Sequence, residues 1–267
     1  MKIGLISDVH GNLHALKAVL VSLENEDVEF TLCAGDLVCY GAQPSGVIKL
    51  MRERGIPSVC GNYDYAVAHD LDTASRTPSS PRNEPLKRAA LRWTLENAGP
   101  SDKRYLASLP WVMRFAFEGL HVAVVHAGLE YLDAWYEPEY PQAMEQLARR
   151  VDADVIVMGH THRAFAHRVS SRAMINPGAV GRSLDGDTRA AFAVLDTNTL
   201  EIGFHRVRYD LKGAVRMIEK SGMPLEIARL VERGAKRIEQ LEQLEPEPKT
   251  PSSPFEKSEK TIQEAVL

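Results

Sequence analysis

Residues 1–12 read Met-Lys-Ile-Gly-Leu-Ile-Ser-Asp-Val-His-Gly-Asn. The apolar run of Ile3, Leu5 and Ile6 predicts a buried strand that begins almost at the first residue. At Ser7-Asp8-Val9-His10 oxygen and nitrogen ligands replace apolar side chains, and a period of two puts Asp8 and His10 on the same side of an extended backbone. Gly11 allows a tight turn, after which Leu13, Leu16, Leu20 and Leu23 form the apolar stripe of a helix over about 12–25. A carboxylate and an imidazole at a strand's carboxyl end, beside a helix start, is where open α/β sheets place their sites. Asp-x-His alone is common, so its weight depends on the motifs that lie downstream of it.

The same grammar recurs further along the chain. Phe30–Ala34 is apolar and ends at Gly35-Asp36; a helical stretch over about 45–54 leads to Ile56–Cys60, which ends at Gly61-Asn62-Tyr63-Asp64. This β-α-β-α-β rhythm predicts an α/β fold with parallel strands, right-handed crossovers and three strand ends side by side. Residues 65–109 differ: the Pro/Ser-rich patch Thr77-Pro78-Ser79-Ser80-Pro81 precedes helical pieces at about 83–97 and 101–108. We expect a small helical cap here that shapes the substrate pocket, because the segment leaves directly from the Gly61–Asp64 loop. Val112–Phe117 and Leu120–Val125 flank the turn Glu118-Gly119, and the second strand runs into His126. A polar helix near 140–150 precedes the strand Asp154–Met158, which ends at Gly159-His160-Thr161-His162. Phe165–Val169, Ala173–Ile175, Ala190–Leu195 and Leu200–Val207 read as antiparallel strands of a second sheet. Residues 210–244 are helical in pattern, with Pro224 starting a second segment, and the Pro- and charge-rich stretch 245–267 reads as a disordered tail.

Among 267 residues the net charge is −4, which argues against a basic surface for long nucleic acid and leaves a small nucleotide-type substrate open. The odd set Cys33, Cys39 and Cys60 has no metal-type spacing and reads as reduced thiols of a cytoplasmic protein. The N-terminus has no secretory-signal pattern, and no apolar run approaches the roughly 18–20 residues of a membrane span. We therefore expect no membrane partner.

Five motifs close apolar strands: Asp8-x-His10, Gly35-Asp36, Gly61-Asn62, His126 and Gly159-His160-x-His162. Together they offer two carboxylates, an amide oxygen and four imidazoles, a mixed N/O set that suits Mn, Fe, Zn or Ni and not copper(I) or a Cys-type zinc site. In order and content the motifs resemble the calcineurin-like metallophosphoesterases over residues 1–208. The resemblance implies a four-layer αββα sandwich, two mixed β-sheets flanked by helices, with the cap inserted at about 65–109 and residues 209–244 packed on the domain. It also implies two divalent metal ions, Mn first. Asp8, His10, Asp36 and His162 would hold one, and Asp36, Asn62, His126 and His160 the other, with Asp36 bridging. The implied chemistry is in-line attack on phosphorus by a hydroxide held between the ions.

Within the family the chain looks most like compact bacterial phosphodiesterases of the YfcE type, on the strength of Asn176-Pro177-Gly178-Ala179-Val180-Gly181-Arg182. Members usually carry Ser at the position of Ala179. This loop is expected near the pocket, with Asn176, Gly178 and Arg182 toward substrate. Tyr63 stands where the family often has a His that protonates the leaving group, oriented by the acidic residue at Asp64. Tyrosine's pKa near 10 makes it a poorer acid near neutrality. Diester and pyrophosphate-type bonds with good leaving groups are therefore favoured over monoesters. Asn12 and Asp64 are expected to orient ligands or the Tyr63 loop.

His14, His69, His121, His167 and His205 read as ordinary surface or core residues, and Trp93, Trp111 and Trp135 as packing. Tyr40-Gly41 is a candidate border of the pocket. Leu230, Val231, Ile238 and Leu241 are expected to pack on the body or on a second subunit of a homo-oligomer. Two competing readings are a phosphomonoesterase or serine/threonine protein phosphatase of the same fold, and a non-catalytic scaffold such as the family's retromer-subunit relative. Retention of all seven ligands weighs against the scaffold.

Overall fold

The structure is a computed structural model that describes residues 1–76 and 80–241. The expected tail and part of the Thr77–Pro81 patch lie outside the described residues. In chain order the elements are β1 (Lys2–Ile6), α1 (Leu13–Asn25), β2 (Phe30–Cys33), α2 (Pro44–Glu53), α3 (Asn62–Ala68), α4 (Glu84–Asn97) and α5 (Pro100–Ala107). Then come β3 (Val112–Phe117), β4 (Leu120–Val125), α6 (Pro141–Arg150), β5 (Val155–Val157), β6 (Phe165–Val169) and β7 (Arg172–Asn176). The last are β8 (Ala190–Asp196), β9 (Ile202–Val207), α7 (Leu211–Lys220), α8 (Leu225–Arg233) and the single turn α9 (Ile238–Leu241).

Two mixed sheets result, ordered β2-β1-β8-β9 and β3-β4-β5-β7-β6. Alternation of side chains across the strands decides the layers. Ile3 and Leu5 of β1, Ala193 and Leu195 of β8, Val122 and Val124 of β4, and Val155 and Val157 of β5 share one core between the sheets. The opposite faces pack outward: Ile6 and Phe192 against helical residues such as Leu16, Val47 and Ile218, and Ala123, Val125 and Ile156 against Met144 and Leu147 of α6. Strands covered on both faces are apolar throughout, which is why β1 and β4 lack the polar alternation of a half-exposed strand. The fold is the expected αββα sandwich.

Two expectations about strands need correction. Ile56–Cys60 is no full strand. It touches β2 at one parallel bridge, Cys33 to Ser58, with Cys33 N–H donating to Pro57 O at 3.0 Å and Val59 N–H to Cys33 O at 3.1 Å. Pro57 has no N–H to extend the ladder. The four later strands do not form one antiparallel sheet either. β6 and β7 join β5, with β7 parallel to it, whereas β8 returns to pair antiparallel with β1. The apolar pattern sets which faces are buried, and it carries no signal for which sheet receives a strand.

Between β2 and β3 the described residues carry α2, α4 and α5 where a helical pattern is expected, with α3 added. α4 buries Ala90, Leu91 and Thr94, and the indole N–H of Trp93 donates to Ser221 O at 2.8 Å. Leu230 and Val231 are buried, Val231 in the same core, so α8 packs on the body. No helix among the described residues is long and apolar enough to cross a membrane.

Phe192 lies buried under the helical layer with its ring stacked 4.9 Å from that of His205. Phe192→Ala is predicted to lower the unfolding free energy by about 3–5 kcal/mol. In urea titrations this reads as a lower midpoint at unchanged slope.

Candidate metal centre

The strand ends curl sharply where they meet the site. Asp8, His10, Asp36, His160 and His162 all have positive φ, between 48° and 66°. The left-handed region costs a non-glycine residue roughly 1–2 kcal/mol. The expected extended geometry at Asp8 and His10 is thus corrected: β1 ends at Ile6, and left-handed turns, not the strand period, bring the two side chains together. Hydrogen bonds across the strand ends hold these turns, including Asp8 N–H to Gly35 O at 2.9 Å and His10 N–H to Asp36 O at 2.9 Å. Asn62 is likewise not in a loop but opens α3. Two glycines permit the close approach: a Cβ on Gly61 would collide with Asp36, and one on Gly159 with Ser7.

The seven expected ligands converge in one cluster, six of them buried and His160 partly so. In the first half, His10 Nε2 lies 3.1 Å from His162 Nε2 and 3.8 Å from Asp8 Oδ1, and His162 Nε2 lies 3.3 Å from Asp8 Oδ1. In the second, Asn62 Oδ1 lies 3.0 Å from His126 Nε2 and 3.1 Å from His160 Nδ1. Asp36 Oδ2 sits between the halves, 3.7 Å from His10 Nε2 and 3.5 Å from His126 Nε2.

Proton placement shows what the cluster lacks. His10 Nδ1 faces Val38 O at 3.1 Å, His162 Nδ1 faces Arg182 O at 2.6 Å, and His126 Nδ1 faces Ala34 O at 2.7 Å. A carbonyl only accepts, so each Nδ1 carries the proton of the neutral ring and each Nε2 presents a bare lone pair. The Asn62 amide is fixed by Nδ2 donating to Ala74 O at 2.9 Å, which turns its oxygen inward. Asp8 Oδ2 accepts from Ser7 Oγ at 2.7 Å and His160 N–H at 3.1 Å, but Asp8 Oδ1 is buried without a hydrogen-bond partner. Acceptors facing acceptors in a buried site call for cations.

The electrostatics agree. Burial, then the neighbouring His162, holds His10 well below the ordinary histidine value, and burial with His126 lowers His160 to about 3. Both rings are therefore neutral, the form that ligates metal. Burial, then the charges of Asp64 and Asp8, pushes Asp36 well above the carboxylate range. Burial also acts to raise Asp8, and only positive charge beside it, at His162 first, holds its carboxyl low. A divalent cation removes this conflict between adjacent buried carboxylates. Asp8, His10 and His162 form one set able to hold an ion, and Asp8, Asp36 and His126 another.

The remaining expected residues surround this cluster in different roles. Asp64 accepts from Leu37 and Gly61 N–H at 2.8 and 3.0 Å, tying the Asp36 loop to the start of α3. Burial raises its carboxyl to about 6. Asn12 caps α1 by accepting from Ala15 N–H at 3.1 Å and donates to Gly181 O at 3.0 Å. Tyr63 N–H donates to Asp36 Oδ1 at 2.9 Å, while its hydroxyl pairs with that of Tyr40 at 2.6 Å. Asn176 is fully buried and braces the site from behind, donating to Gly159 O at 2.7 Å and accepting from Gly178 N–H at 2.9 Å. Gly178 lies against Ala164 and Ala191 rather than against a metal ligand. Arg182 is buried, with its guanidinium 4.0 Å over the Tyr40 ring.

Two neighbours of the cluster are only weakly marked in the sequence. Tyr40 meets the His10 ring edge-on at 5.3 Å, and its place just after Asp36 is the one signal for it. Trp135, expected as packing, instead meets the His160 ring edge-on at 5.5 Å, and nothing in its local sequence marks it.

Adding Mn²⁺ to chelator-treated protein is predicted to raise its melting temperature. Binding at a hundredfold over Kd contributes about 2.7 kcal/mol. Asp36→Asn, which removes the carboxylate between the two halves, is expected to abolish most of that gain in a thermal melt.

Residues 1–200 match the calcineurin-like phosphoesterase superfamily domain. An uncharacterised protein of Methanocaldococcus jannaschii is 30% identical over 239 residues, covering 83% of this chain and 93% of its own length. The crystal structure of a metallophosphoesterase from Sphaerobacter thermophilus is 30% identical, with a TM-score of 0.70, and the match covers 88% of this chain and all of that one. A hypothetical protein of Pyrococcus horikoshii shares the fold, with a TM-score of 0.77 at 20% identity over 88% of this chain and 99% of its own. On the domain match and the ligand cluster together, the chain belongs to the calcineurin-like phosphoesterase superfamily, whose members are metal-dependent.

Proposed function

We propose that this protein is a binuclear metal-dependent phosphodiesterase, acting on phosphodiester or pyrophosphate-type bonds. The observation that carries the choice of bond is Tyr63. Its hydroxyl is engaged with Tyr40, and burial together with Tyr40 raises its pKa well above the ordinary tyrosine value. A group so disinclined to ionise is a poor general acid near neutrality. Esters whose leaving group needs no proton are then the better substrates, and simple monoesters the worse ones.

Asp8, His10, Asp36 and His162 would hold one ion and Asp36, Asn62, His126 and His160 the other. The N/O donor set favours Mn, with Fe, Zn or Ni as alternatives. Bound ions would supply positive charge to the phosphoryl oxygens and lower the pKa of a water. The chain's own residues do the positioning. Backbone carbonyls fix the tautomers of His10, His126 and His162, and Asp64 fixes the Asp36 loop. Hydrogen-bond partners behind metal ligands typically matter about 10–100-fold. Of the three residues expected to meet substrate, Asn176 has its amide committed within the protein, and Arg182 has its Nε buried with no hydrogen-bond partner. In this reading α4 and α5 act as the cap over the pocket.

The phosphomonoesterase reading predicts the opposite substrate order, and the scaffold reading predicts no hydrolysis after metal reloading. Mn²⁺-reloaded protein should hydrolyse bis(4-nitrophenyl) phosphate with a higher kcat/KM than 4-nitrophenyl phosphate. Tyr63→His should raise monoester turnover and narrow that ratio. A variant that keeps its metals and shows no such gain removes the reason for preferring diesters.

A further inference from the structure

Several arginines of this chain are matched with carboxylates. Arg163 pairs with Glu139 at 2.5 Å, Arg189 with Asp187 at 2.7 Å, and Arg206 with Asp185. Arg182 departs from this. It is only 8% exposed, its Nε has no hydrogen-bond partner, and its guanidinium rests on the Tyr40 ring. An arginine this buried and incompletely bonded is costly unless an anion completes it. Its position names the side of the site it serves: its own carbonyl accepts from His162, and Tyr40 beneath it touches His10.

A second cation stands at the opposite end. Lys236, just after α8, places Nζ 4.4 Å from the centre of the Trp135 ring, and that ring meets His160. The segment is anchored, because Ile238 N–H donates to Asn83 Oδ1 at 3.1 Å and Gly186 N–H to Gly234 O at 3.0 Å. Lys87 lies one turn along α4 from Asn83, the residue that holds Ile238 two positions beyond Lys236. Burial, then the charge of Arg182, lowers its pKa, with Glu84 acting the other way and Lys236 adding to the repulsion. Lys236 is lowered by burial and Arg237, with Glu137 opposing and Arg182 contributing. Arg182 on the His162 side and Lys236 on the His160 side thus flank the candidate ligands, and α4 brings Lys87 toward the segment that carries Lys236, although the protein as a whole is acidic. Mutual repulsion of this kind is relieved by a bound polyanion.

We propose that the site takes a substrate carrying a second phosphate beside the one attacked, as in a nucleoside polyphosphate, with Arg182, Lys236 and Lys87 holding the charge that does not react. The proposal rests on the phosphoesterase reading above and narrows it to pyrophosphate-type bonds. Hydrolysis would break one P–O bond of the anhydride. The hydroxyl of water goes to the attacked phosphorus, and the bridging oxygen leaves on the second phosphate. The proton is released to solvent or to that phosphate. A phosphate leaving group departs without a general acid, which fits the engaged hydroxyl of Tyr63.

The test compares diadenosine diphosphate with adenylyl-adenosine, which has the same bases but one phosphate, on Mn²⁺-loaded protein. KM should be at least tenfold lower for the diphosphate. Lys236→Gln, Lys87→Gln and Arg182→Lys should each raise it about three- to tenfold, as expected for losing a charged hydrogen bond, with a smaller effect on the monophosphate. Lys236→Arg should restore it. Calorimetric binding of the methylene-bridged diphosphate analogue should weaken in the same order, a readout independent of turnover. Equal KM values for the two substrates, or variants that shift both alike and leave analogue binding unchanged, overturn the proposal. Absence of any hydrolysis would instead overturn the phosphoesterase reading, and analogue binding would still decide the role of the three cations.

Discussion

The structure depends on a set of lone pairs with no protons between them. Three backbone carbonyls take the N–H of His10, His126 and His162, leaving Nε2 of each ring bare and aimed into the ligand cluster. Asp8 Oδ1 has no partner, and Asp36 is forced up by burial and its neighbours. Water-filled surroundings would dissipate this conflict, but these side chains are buried between strand ends. Positive charge resolves it directly, and the arrangement makes sense as a preorganised cation site.

Holding the lone pairs together carries a conformational cost. Five of the seven candidate ligands adopt left-handed backbone, which only the surrounding hydrogen bonds and packing make tolerable. The sandwich supplies that support. The strands that end at the site are covered on both faces by apolar cores, so their carboxyl ends are fixed relative to one another. Asn12, Asp64 and Asn176 then lock loop to loop: Asn12 joins α1 to Gly181, Asp64 joins the Asp36 turn to α3, and Asn176 supports Gly159. Functional strain is thereby concentrated on a rigid scaffold.

Much of this is legible in the chain. Each ligand motif comes after an apolar run, and apolar runs that bury both faces are what a two-sheet core requires, so β1, β2, β4 and β5 and the residues after them can be found from pattern alone. The family resemblance rests on those same motifs. Other features have no local signal. Pro57 disqualifies a strand that hydrophobicity favours, and the return of β8 to β1 is a long-range choice between two sheets with similar edges. The left-handed turns at Asp8 and His10 come from tertiary hydrogen bonds, because neither residue type demands positive φ. Trp135 and Lys236 reach the site through contacts between segments that share no motif. The motif around Asn176 points it toward substrate, whereas the folded chain commits its amide to the loop behind the ligands.

One buried cluster holding two cations joined through Asp36 is the central claim. Electron paramagnetic resonance of protein dialysed against Mn²⁺ tests it most directly. The predicted result is two Mn²⁺ per chain with an exchange-coupled signal, lost together in Asp36→Asn. A single ion, or two ions with independent signals, would contradict it.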